Sequence, residues 1–568
     1  MAKTLMKSAK MFIEFKGKNM KTLNKKMDLK FLFILTLSVS ISILSVRIPF
    51  IAKNMLDYAL EMNFNSIKNS ALILILTISG ILLVELLRKI TMTSYKKDLF
   101  NVIREKITKG LLNRDFEKFY ERKNQEYISI YNNEIPEVVN NYYMQFIDIM
   151  FDFFSIIIFS ISLFALHPLM AIVVLTTNAI PLLIPVFYKN KLNFQKDEYF
   201  KSLKEYNICL GDIINGFLNI KTNNAQNNFK YRADNLSKLS NQKMQKYENT
   251  SSKSQLLIGL FSYFNYFSII LLGVYLITKG VLTAGGLIAA VGVSEMLVGP
   301  VTNISYELNI FNSLKNIKKS LFKEFSMLKD EKPKIVLNKE IEKIEIKNVD
   351  FFYADKQALK KVNFTFEKNK KYLIYGNNGS GKSTLFKLIS KIYETYTGDI
   401  LINGISLKTI EEKSYFEKIG IVFQTPMMFN DTLKENMMLY SEINDEKIKE
   451  VINTLNLDRI QNQIFENKSF KDSENNISGG EMQKINISRV LLKEKNFLIL
   501  DEFTSSFDKK SSFELEKNLL ENKNITLLNI QHNLNKELLK YYDEIIFIEN
   551  GSIQKENKLY EEKCSKLE

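Results

Sequence analysis

The sequence is poor in the residues that build disulfides and metal clusters. Among 568 residues there is no tryptophan, and there are only two cysteines and two histidines. Cys209 and Cys564 have no partner spacing, so we expect reduced thiols and neither a disulfide nor a cysteine-based metal site. The N-terminal region has no small-residue cleavage site after a short apolar core, so we expect no removable signal peptide.

Acidic charge is scarce relative to basic charge. The chain has 78 Lys and Arg against 63 Asp and Glu, a net charge of +15. Nucleic-acid binding is one explanation of such a balance. The lysines, however, cluster beside apolar runs, as in the residues before Phe31. Basic flanks are typical of membrane spans, so we expect a lipid bilayer as the partner and no nucleic acid.

Six long apolar runs lie in the first half of the chain, each near the ~20 residues that cross a bilayer as a helix. One such run is often a buried core helix, but six runs with Lys at their flanks favour membrane spans. Pro181, Pro185 and Pro300 are expected to kink spans four and six. The predicted spans are 31–49, Ala71–Leu87, Met144–Leu166, Pro168–Tyr188, Leu256–Ile277 and Leu287–Ile304.

The connections between the spans predict the orientation of the chain. Six spans place both termini on one side, and the basic N-terminus makes that side cytoplasmic. The inside segments, Lys89–Tyr142 and Lys189–Gln255, are long and charged and keep a helical apolar periodicity. We therefore expect membrane helices that continue into the cytoplasm and turn there.

The segment GNNGSGKST fits the phosphate-loop pattern G-x-x-x-x-G-K-[ST], with a strand-like run before it and a helical run after it. Glycines let backbone N–H groups curve around phosphate, and the helix N-terminus adds partial positive charge. Lys382 is expected to reach the β- and γ-phosphates, and Ser383 to hold Mg²⁺. The candidate nucleotide-binding residues here are Gly376, Asn377, Asn378, Gly379, Ser380, Gly381, Lys382, Ser383 and Thr384.

The run NFLILDE, Asn496–Glu502, predicts a buried parallel strand that ends in two carboxylates. Asp501 is placed to bind Mg²⁺, directly or through water, and Glu502 to polarise the water that attacks the γ-phosphate. An acidic turn after a strand is the structural alternative, and the upstream phosphate loop favours the catalytic one. The two motifs together predict a nucleoside triphosphate and Mg²⁺ as cofactors, and they identify no more than the broad class of NTPases.

The segment ISGGE, Ile477–Glu481, precedes this strand and opens a helix. Ser478, Gly479 and Gly480 form a second helix N-terminus that is able to bind phosphate. At this point the sequence resembles the ATP-binding cassette (ABC) family, whose signature contacts the ATP held by a partner subunit. The resemblance implies that these three residues complete the ATP site of another chain.

Four further segments match landmarks of this family in order. Gln424 resembles the Q-loop glutamine, and Ser505–Asp508 resembles the D-loop at the dimer interface. His532 resembles the switch histidine near the γ-phosphate, and Tyr353 resembles the aromatic residue that stacks on adenine. The resemblance implies Glu502, His532 and Gln424 as catalytic residues, and Ser383, Gln424 and Asp501 as Mg²⁺ ligands.

Six spans ahead of one nucleotide-binding domain resemble an ABC exporter half-transporter over essentially the whole chain. The implied fold class is a membrane α-helical bundle with long cytoplasmic extensions, followed by an α/β P-loop ATPase domain with a helical subdomain. Short coupling helices are expected near Asn113–Arg122 and Asn215–Gln226. The predicted boundaries are a basic cytoplasmic N-terminus over 1–30, a transmembrane domain over 31–328, a linker over 329–340 and a nucleotide-binding domain over 341–568.

The sequence departs from the family pattern at four positions. The signature has Ile477 for Leu and Glu481 for Gln, while Phe503 replaces the usual Pro and Phe507 the usual Leu. None of these changes removes a catalytic group. They leave open whether the ATP site completed by ISGGE is fully active.

The resemblance implies alternating access by a dimer, formed with a second copy or with a homologous half, in which two cassettes enclose two ATP molecules. The predicted function is ATP-driven export of a substrate across the plasma membrane of a bacterium, with a peptide as one candidate cargo. The alternatives are a multidrug or lipid exporter of the same architecture, and a membrane ATPase that acts as a sensor without transport.

Carboxylates within the apolar runs are the only sequence clue to the cargo. Glu295 lies near the middle of span six, and Asp148 and Asp152 lie one helical turn apart in span three. Intramembrane carboxylates usually face a cavity or a partner. The functional interpretation is an acidic cavity for a cationic or amphipathic cargo. The structural interpretation is pairing with Arg47 or Arg88, or solvation at the cytoplasmic end of the span. It is favoured for Asp148, Asp152 and Glu85 in span two, and is weighed evenly against the functional one for Glu295.

Overall fold

The structure is a computed structural model that describes residues 25–122, 124–181, 183–326, 334–466, 470, 477–504, 507–531 and 535–554. The chain divides into two compact units. The first holds the chain up to Leu112 and then Asn124–Met327, and the second holds Asn113–Lys123 and the chain from Leu328 onward. The segment 113–123 therefore groups with the C-terminal unit.

The first unit is built from long helices, because helix-breaking proline is rare in the sequence, with 8 residues in the whole chain. Two π-helical turns, Ile130–Glu134 and Val139–Met144, connect α4, α5 and α6. The helices in the first part of the chain are α1 (Lys25–Leu60), α2 (Phe64–Leu112), α3 (Phe116–Tyr120, in the second unit), α4 (Asn124–Ser129), α5 (Ile135–Val138), α6 (Gln145–Leu166), α7 (Pro168–Ala179), α8 (Leu183–Asn215), α9 (Phe217–Thr222), α10 (Gln226–Thr278) and α11 (Ala284–Ser326).

Five helical segments among the described residues are long and apolar enough to cross a membrane. They contain the predicted spans one, two, three, five and six, and run over Lys26–Leu60, Phe64–Leu112, Glu126–Leu166, Gln226–Thr278 and Ala284–Ile304.

The fourth predicted span is not one continuous helix, which corrects the sequence prediction. The apolar helix α7 stops at Ala179, and α8 begins at Leu183. Pro181 explains the interruption, because proline has no N–H to donate and its ring clashes with the carbonyl four residues earlier. The expected kink is therefore a break. In contrast, α11 continues through Pro300 as a single helix.

The long helices extend well beyond a bilayer. The helix α2 has 49 residues and α10 has 53. At 1.5 Å per residue these lengths are about 75–80 Å, against a hydrocarbon core of about 30 Å. The prediction that membrane helices continue far past their apolar segments is confirmed.

Aromatic stacking and buried hydrogen bonds join the helices of the first unit. Phe31 of α1 stacks on Phe146 of α6, with ring centroids 6.2 Å apart. Asn265 of α10 accepts a hydrogen bond from Thr177 of α7 at 2.5 Å and donates one to Ser294 of α11 at 2.9 Å. Polar groups inside a membrane region must find such internal partners, because hydrocarbon offers none.

The second unit contains two sheets. An antiparallel sheet has the strand order β2-β1-β4-β5, from β1 (Lys343–Tyr353), β2 (Lys356–Glu367), β4 (Thr397–Ile402) and β5 (Ile405–Ser406). A six-stranded sheet has the order β10-β9-β3-β8-β7-β6, from β3 (Lys371–Tyr375), β6 (Ile419–Val422), β7 (Phe497–Asp501), β8 (Thr526–Ile530), β9 (Glu544–Glu549) and β10 (Ser552–Gln554).

Within the six-stranded sheet, β9, β3, β8, β7 and β6 are parallel, and β10 is antiparallel to β9. The central strands β3, β7 and β8 are buried along almost their whole length, as expected of parallel strands covered on both faces. Their carboxyl ends therefore meet at one edge, which is where open α/β sheets bind ligands.

Helices cover this sheet and form a subdomain beside it. One buried apolar cluster joins both sheets to α12, and a second joins α14, α15, α17 and α18 to β7 and β8. The predicted fold class, a helical membrane unit followed by an α/β domain with a helical subdomain, is confirmed. These helices are α12 (Lys382–Ile389), α13 (Glu412–Lys418), α14 (Leu433–Met438), α15 (Asp445–Thr454), α16 (Gln461–Phe465), α17 (Gly479–Leu491) and α18 (Lys509–Glu521).

Candidate functional site

The phosphate loop connects β3 to α12 at the edge where the parallel strands end. Gly379 and Gly381 have φ values of 78° and 112°, in the left-handed region that glycine adopts without strain. A Cβ atom at Gly376 would lie 2.3 Å from the carbonyl oxygen of Ile548. The loop therefore needs these three glycines, and it presents the N-terminus of α12 as an anion site.

Lys382 occupies the interior of this loop. Its buried Nζ donates to the carbonyl oxygens of Gly376 at 2.7 Å and Asn377 at 2.9 Å. Burial lowers the pKa of Lys382, and the nearby carboxylates of Glu502 and Asp501 oppose that shift. The ammonium group thus lies beside the two predicted catalytic carboxylates, where phosphate oxygens can replace the loop carbonyls.

Hydroxyl groups of the loop also fit a phosphate and a cation. Ser383 is exposed in the first turn of α12, whereas Thr384 is buried. The buried Ser380 Oγ has no hydrogen-bond partner within the described parts of the chain. An unpaired buried hydroxyl is costly, and a phosphate oxygen would satisfy it.

Asp501 ends β7 at the same edge. It pairs with Ile530 of β8, which in turn pairs with Ile374 of β3, two residues before the phosphate loop. Burial, and then the negative charge of Glu502, raises the pKa of Asp501 to about 6. A divalent cation would supply the positive charge that this pair of carboxylates lacks, so the residues present fit Mg²⁺.

Glu502 is held in a strained conformation. Its φ is 44°, which is uncommon for a residue other than glycine, and its N–H donates to the carbonyl of Ile530 at 2.9 Å. Gln424, two residues after β6, donates from Nε2 to Glu502 Oε2 at 2.6 Å. The structure therefore brings Gln424, Glu502, Asp501 and the phosphate loop to one sheet edge.

The signature residues begin helix α17. Ser478 Oγ accepts from the N–H of Glu481 at 3.2 Å, while Glu481 Oε2 accepts from the Ser478 N–H and hydroxyl, both at 2.8 Å. This is a capping box, which satisfies two free N–H groups at a helix start. Glu481 also pairs with Arg459 at 3.1 Å. The unusual glutamate therefore stabilises this helix start.

The exposed signature is separate from the phosphate loop of its own chain. Within the described residues, no hydrogen bond or ion pair joins Ser478, Gly479 or Gly480 to that loop. A Cβ at Gly479 would meet no atom within 4 Å. This helix N-terminus is thus open to a ligand that its own loop does not hold.

Two side chains missed by the sequence reasoning connect the signature helix to Gln424. Gln483 and Asn486 of α17 each donate to the carbonyl oxygen of Phe423 at 3.4 Å. Phe423 immediately precedes Gln424 in the chain. The sequence pattern that could have identified them is two amide side chains three residues apart, on one face of the helix that follows the signature.

Tyr353 lies at the end of β1. Its ring meets Phe351 and Tyr393 edge-on, with centroids 4.9 Å and 5.8 Å away, and remains partly exposed. Two aromatic neighbours thus fix its orientation while leaving surface for a further ring.

Two predicted elements are only partly described. His532 and the first two residues of the segment 505–508 lie outside the described residues. Asp508 is described, and its Oδ1 accepts from the N–H groups of Lys510 at 3.1 Å and Ser511 at 2.9 Å, which caps α18.

The segment 113–123 docks on the second unit. Glu117 of α3 accepts a hydrogen bond from the Thr395 hydroxyl at 2.6 Å, and Phe116 meets Phe416 edge-on at 5.8 Å between centroids. The predicted coupling helix near Asn113–Arg122 is therefore confirmed. The second predicted segment also holds a short helix, α9, whose Phe217 and Leu218 are 55% and 75% exposed. Its docking remains a prediction.

Two family models match the chain. One, described as "ABC transporter transmembrane region", matches residues 31–301, and the other, described as "ABC transporter", matches residues 359–505. The two matches lie one after the other, in the order expected of a membrane region fused to a cassette.

The curated relatives that match this chain are named for different exported substances. The chain is 29% identical over 358 residues to the "Microcin-J25 export ATP-binding/permease protein" of Escherichia coli, covering 62% of this chain and 61% of the relative. It is 33% identical over 294 residues to a "Putative multidrug export ATP-binding/permease protein" of Staphylococcus aureus, 50% of each chain. It is 32% identical over 300 residues to an "ATP-dependent lipid A-core flippase" of Syntrophus aciditrophicus, 51% of this chain and 49% of the relative. The matches therefore span about half to three fifths of these relatives.

A solved structure shares the fold along nearly the whole chain. It is titled "Structure of a bacterial Atm1-family ABC exporter with ATP bound", and it superimposes with a TM-score of 0.76. The alignment covers 96% of this chain and 98% of the other at 17% identity.

Proposed function

This chain belongs to the ABC transporter family, and we propose that it is one half of an exporter that hydrolyses ATP to move a cargo out of a bacterial cell. The observation that carries this proposal is a helical membrane unit fused to a domain in which Lys382, Asp501 and Glu502 lie at one sheet edge. Such a constellation suits phosphoryl transfer to water.

Each residue at this edge has a distinct proposed part in hydrolysis. Lys382 would exchange its two loop carbonyls for phosphate oxygens, and Ser383, Asp501 and Gln424 would hold Mg²⁺. Mg²⁺, when bound, would neutralise charge on the transferring phosphate. Glu502 would take the proton of the attacking water once Gln424 releases its carboxylate. His532 is proposed to contact the γ-phosphate.

The active unit is proposed to be a dimer, with itself or with a homologous half. Ser478, Gly479 and Gly480 begin a helix, and among the described residues they make no bond to their own phosphate loop. The γ-phosphate held by a partner chain would bind there, because a helix N-terminus attracts anions. Tyr353 would stack on the adenine of the nucleotide held by its own phosphate loop.

The orientation and the cargo belong to the same proposal. The basic N-terminus favours cytoplasmic termini, so the cargo would leave through a cavity between the spans. Glu295 is exposed in α11 of the single chain, which suits contact with a positively charged group. We infer a cationic or amphipathic peptide as the cargo. A multidrug or lipid exporter remains the alternative, as does a sensor ATPase, which would hydrolyse ATP without moving a cargo.

The deciding experiment is ATP hydrolysis by the chain purified in lipid nanodiscs, beside Glu502→Gln. The expected result is Mg²⁺-dependent activity in the wild type and a loss of about a hundredfold or more in the variant, with ATP binding retained. Equal activity in both proteins would reject Glu502 as the base. A silent wild type that becomes active with a homologous half would identify a heterodimer.

A further inference from the structure

Three carboxyl groups cluster inside the helical unit. Asp148 and Asp152 lie on α6, and Glu307 lies on α11, three residues beyond the apolar segment that ends at Ile304. Asp152 is 5% exposed and Glu307 is 8% exposed. We call these three residues the acidic layer.

The acidic layer has too few partners for its charge. Arg88 of α2 pairs with Asp148 at 3.4 Å, and its guanidinium lies over the ring of Phe151 at 4.5 Å from the centroid. This arrangement confirms the predicted structural pairing for Asp148. Arg88 also acts on Asp152, whereas no cation among the described residues acts on Glu307.

The two deepest members are incompletely satisfied. The Asn303 amide lies near the carboxyl group of Asp152, and the Gln145 amide lies near that of Glu307. Asp152 Oδ2 and Glu307 Oε2 are buried and have no hydrogen-bond partner among the residues that the structure describes. An unpaired buried carboxylate is strongly unfavourable, so each of these oxygens needs a proton or a cation.

Among the described residues, no cation other than Arg88 acts on Asp152 or Glu307. On α11, Lys318 lies over the rings of Tyr142 and Tyr143. Helix α1 has no ionisable residue between Lys30 and Arg47, and α7 has none at all. On α2, the neighbouring Lys89 forms an ion pair with Glu85 at 3.0 Å. The π-helical turn before α6 contributes Tyr142 and Tyr143, which are not cations at neutral pH.

We propose that Asp152 and Glu307 form a binding site for one proton, and that occupancy of this site is linked to turnover of the transporter. Two carboxyl groups that share a buried site cannot both ionise without repulsion, so one keeps its proton. Consistent with this, burial and then the negative charges of Asp152 and Asp148 raise the pKa of Glu307 to about 8. The link to turnover rests on the proposed function, whereas the proton site does not.

Infrared spectroscopy of the full chain in lipid nanodiscs tests the site directly. A protonated carboxyl group absorbs apart from ionised carboxylates. The expected result at neutral pH is a carboxylic C=O band that is lost in Glu307→Gln and lost or shifted in Asp152→Asn. Glu85→Gln is the matched control, since its carboxylate is paired with Lys89, and it should leave the band unchanged.

The wild-type protein also provides a test that needs no variant. Its carboxylic band should fade as the pH rises through about 8, in step with ionisation of the pair. Absence of the band at neutral pH, or a band that Glu307→Gln leaves intact, would overturn the proton site. Neither outcome depends on ATP hydrolysis.

The link to turnover has its own readout. ATPase activity of the wild type should decline on the alkaline side of about pH 8, and Glu307→Gln, which cannot ionise, should lose that decline. If the carboxylic band is confirmed but the wild type and Glu307→Gln have identical pH profiles of ATPase activity, the proton site stands and its link to turnover is rejected.

Discussion

The backbone and the side chain of Glu502 are both held in place. Its backbone lies in the left-handed region, and Gln424 donates to its carboxylate at 2.6 Å. Strain of this kind costs on the order of 1–3 kcal/mol and persists only where the surrounding structure enforces it. Here the buried strand β7 and the bond from Glu502 N–H to Ile530 do so. The surrounding structure therefore fixes the position of the proposed base, whose carboxylate accepts from Gln424.

The raised pKa of Asp501 predicts a pH-dependent requirement for Mg²⁺. Asp501 is ionised above about pH 6 and gains a proton as the pH falls through that value. A protonated carboxyl group is a poor metal ligand, so the apparent Kd for Mg²⁺ should rise by about tenfold for each pH unit below 6. The measurement is a Mg²⁺ titration of ATPase activity at several pH values.

Asp501→Asn is the control for this prediction. It should bind Mg²⁺ weakly at every pH, because its amide cannot ionise. An apparent Kd in the wild type that stays constant from neutral to acidic pH would contradict the role of Asp501 as a ligand.

The five-residue helix α3 makes specific contacts within the second unit. Phe116 packs edge-on against Phe416, and Glu117 accepts from Thr395. On one side of this segment the chain enters the 49-residue helix α2, and on the other side the six-residue helix α4, both of the first unit. We therefore predict that α3 couples the cassette to these helices.

Phe116→Ala should uncouple ATP hydrolysis from transport. Removing the ring leaves the ATP-site residues intact but removes the contact between α3 and Phe416. Basal hydrolysis should therefore persist, while the amount of cargo moved per ATP falls about fivefold or more. The measurement is transport and hydrolysis by the same proteoliposomes. Glu121→Gln, a substitution at an exposed position of the same segment, is the matched control. An equal loss of cargo moved per ATP in both variants would contradict a specific role of the Phe116 contact.

The sequence was informative where local pattern decides structure. The phosphate loop and the strand ending in Asp501 carry their own signals, a glycine spacing and an apolar run. Proline at position 181 predicted a kink in span four. The run is long and apolar enough for one continuous span, so the sequence did not predict two separate helices. The paired burial of Asp152 and Glu307 had no local signal, because it depends on which faces of α6 and α11 pack together over a long sequence separation.

For the assembled protein, the separation of signature and phosphate loop predicts complementation between two inactive variants. Lys382→Ala removes the ammonium from one loop. Gly479→Asp fits the open space at the signature and suits a helix start, but its charge repels phosphate. A mixed dimer holds both defects in one ATP site and leaves the other intact.

Coexpression of the two variants should therefore restore hydrolysis, to about a quarter of the wild-type rate if subunits pair at random in a twofold symmetric dimer and the sites act independently. Each variant alone should remain inactive. ATPase activity of the purified mixture is the measurement, and failure of the mixture to recover would argue against ATP sites shared between two copies of this chain.

The helix α10 acts as a lever. Its 53 residues form one rigid rod of about 80 Å, with the short helix α9 at its lower end. A tilt of only about 5° around one end displaces the other by about 7 Å over this length. A tilt too small to disturb packing near the pivot would thus displace the far end of α10 by several ångströms. The length of the helix sets how large this displacement is.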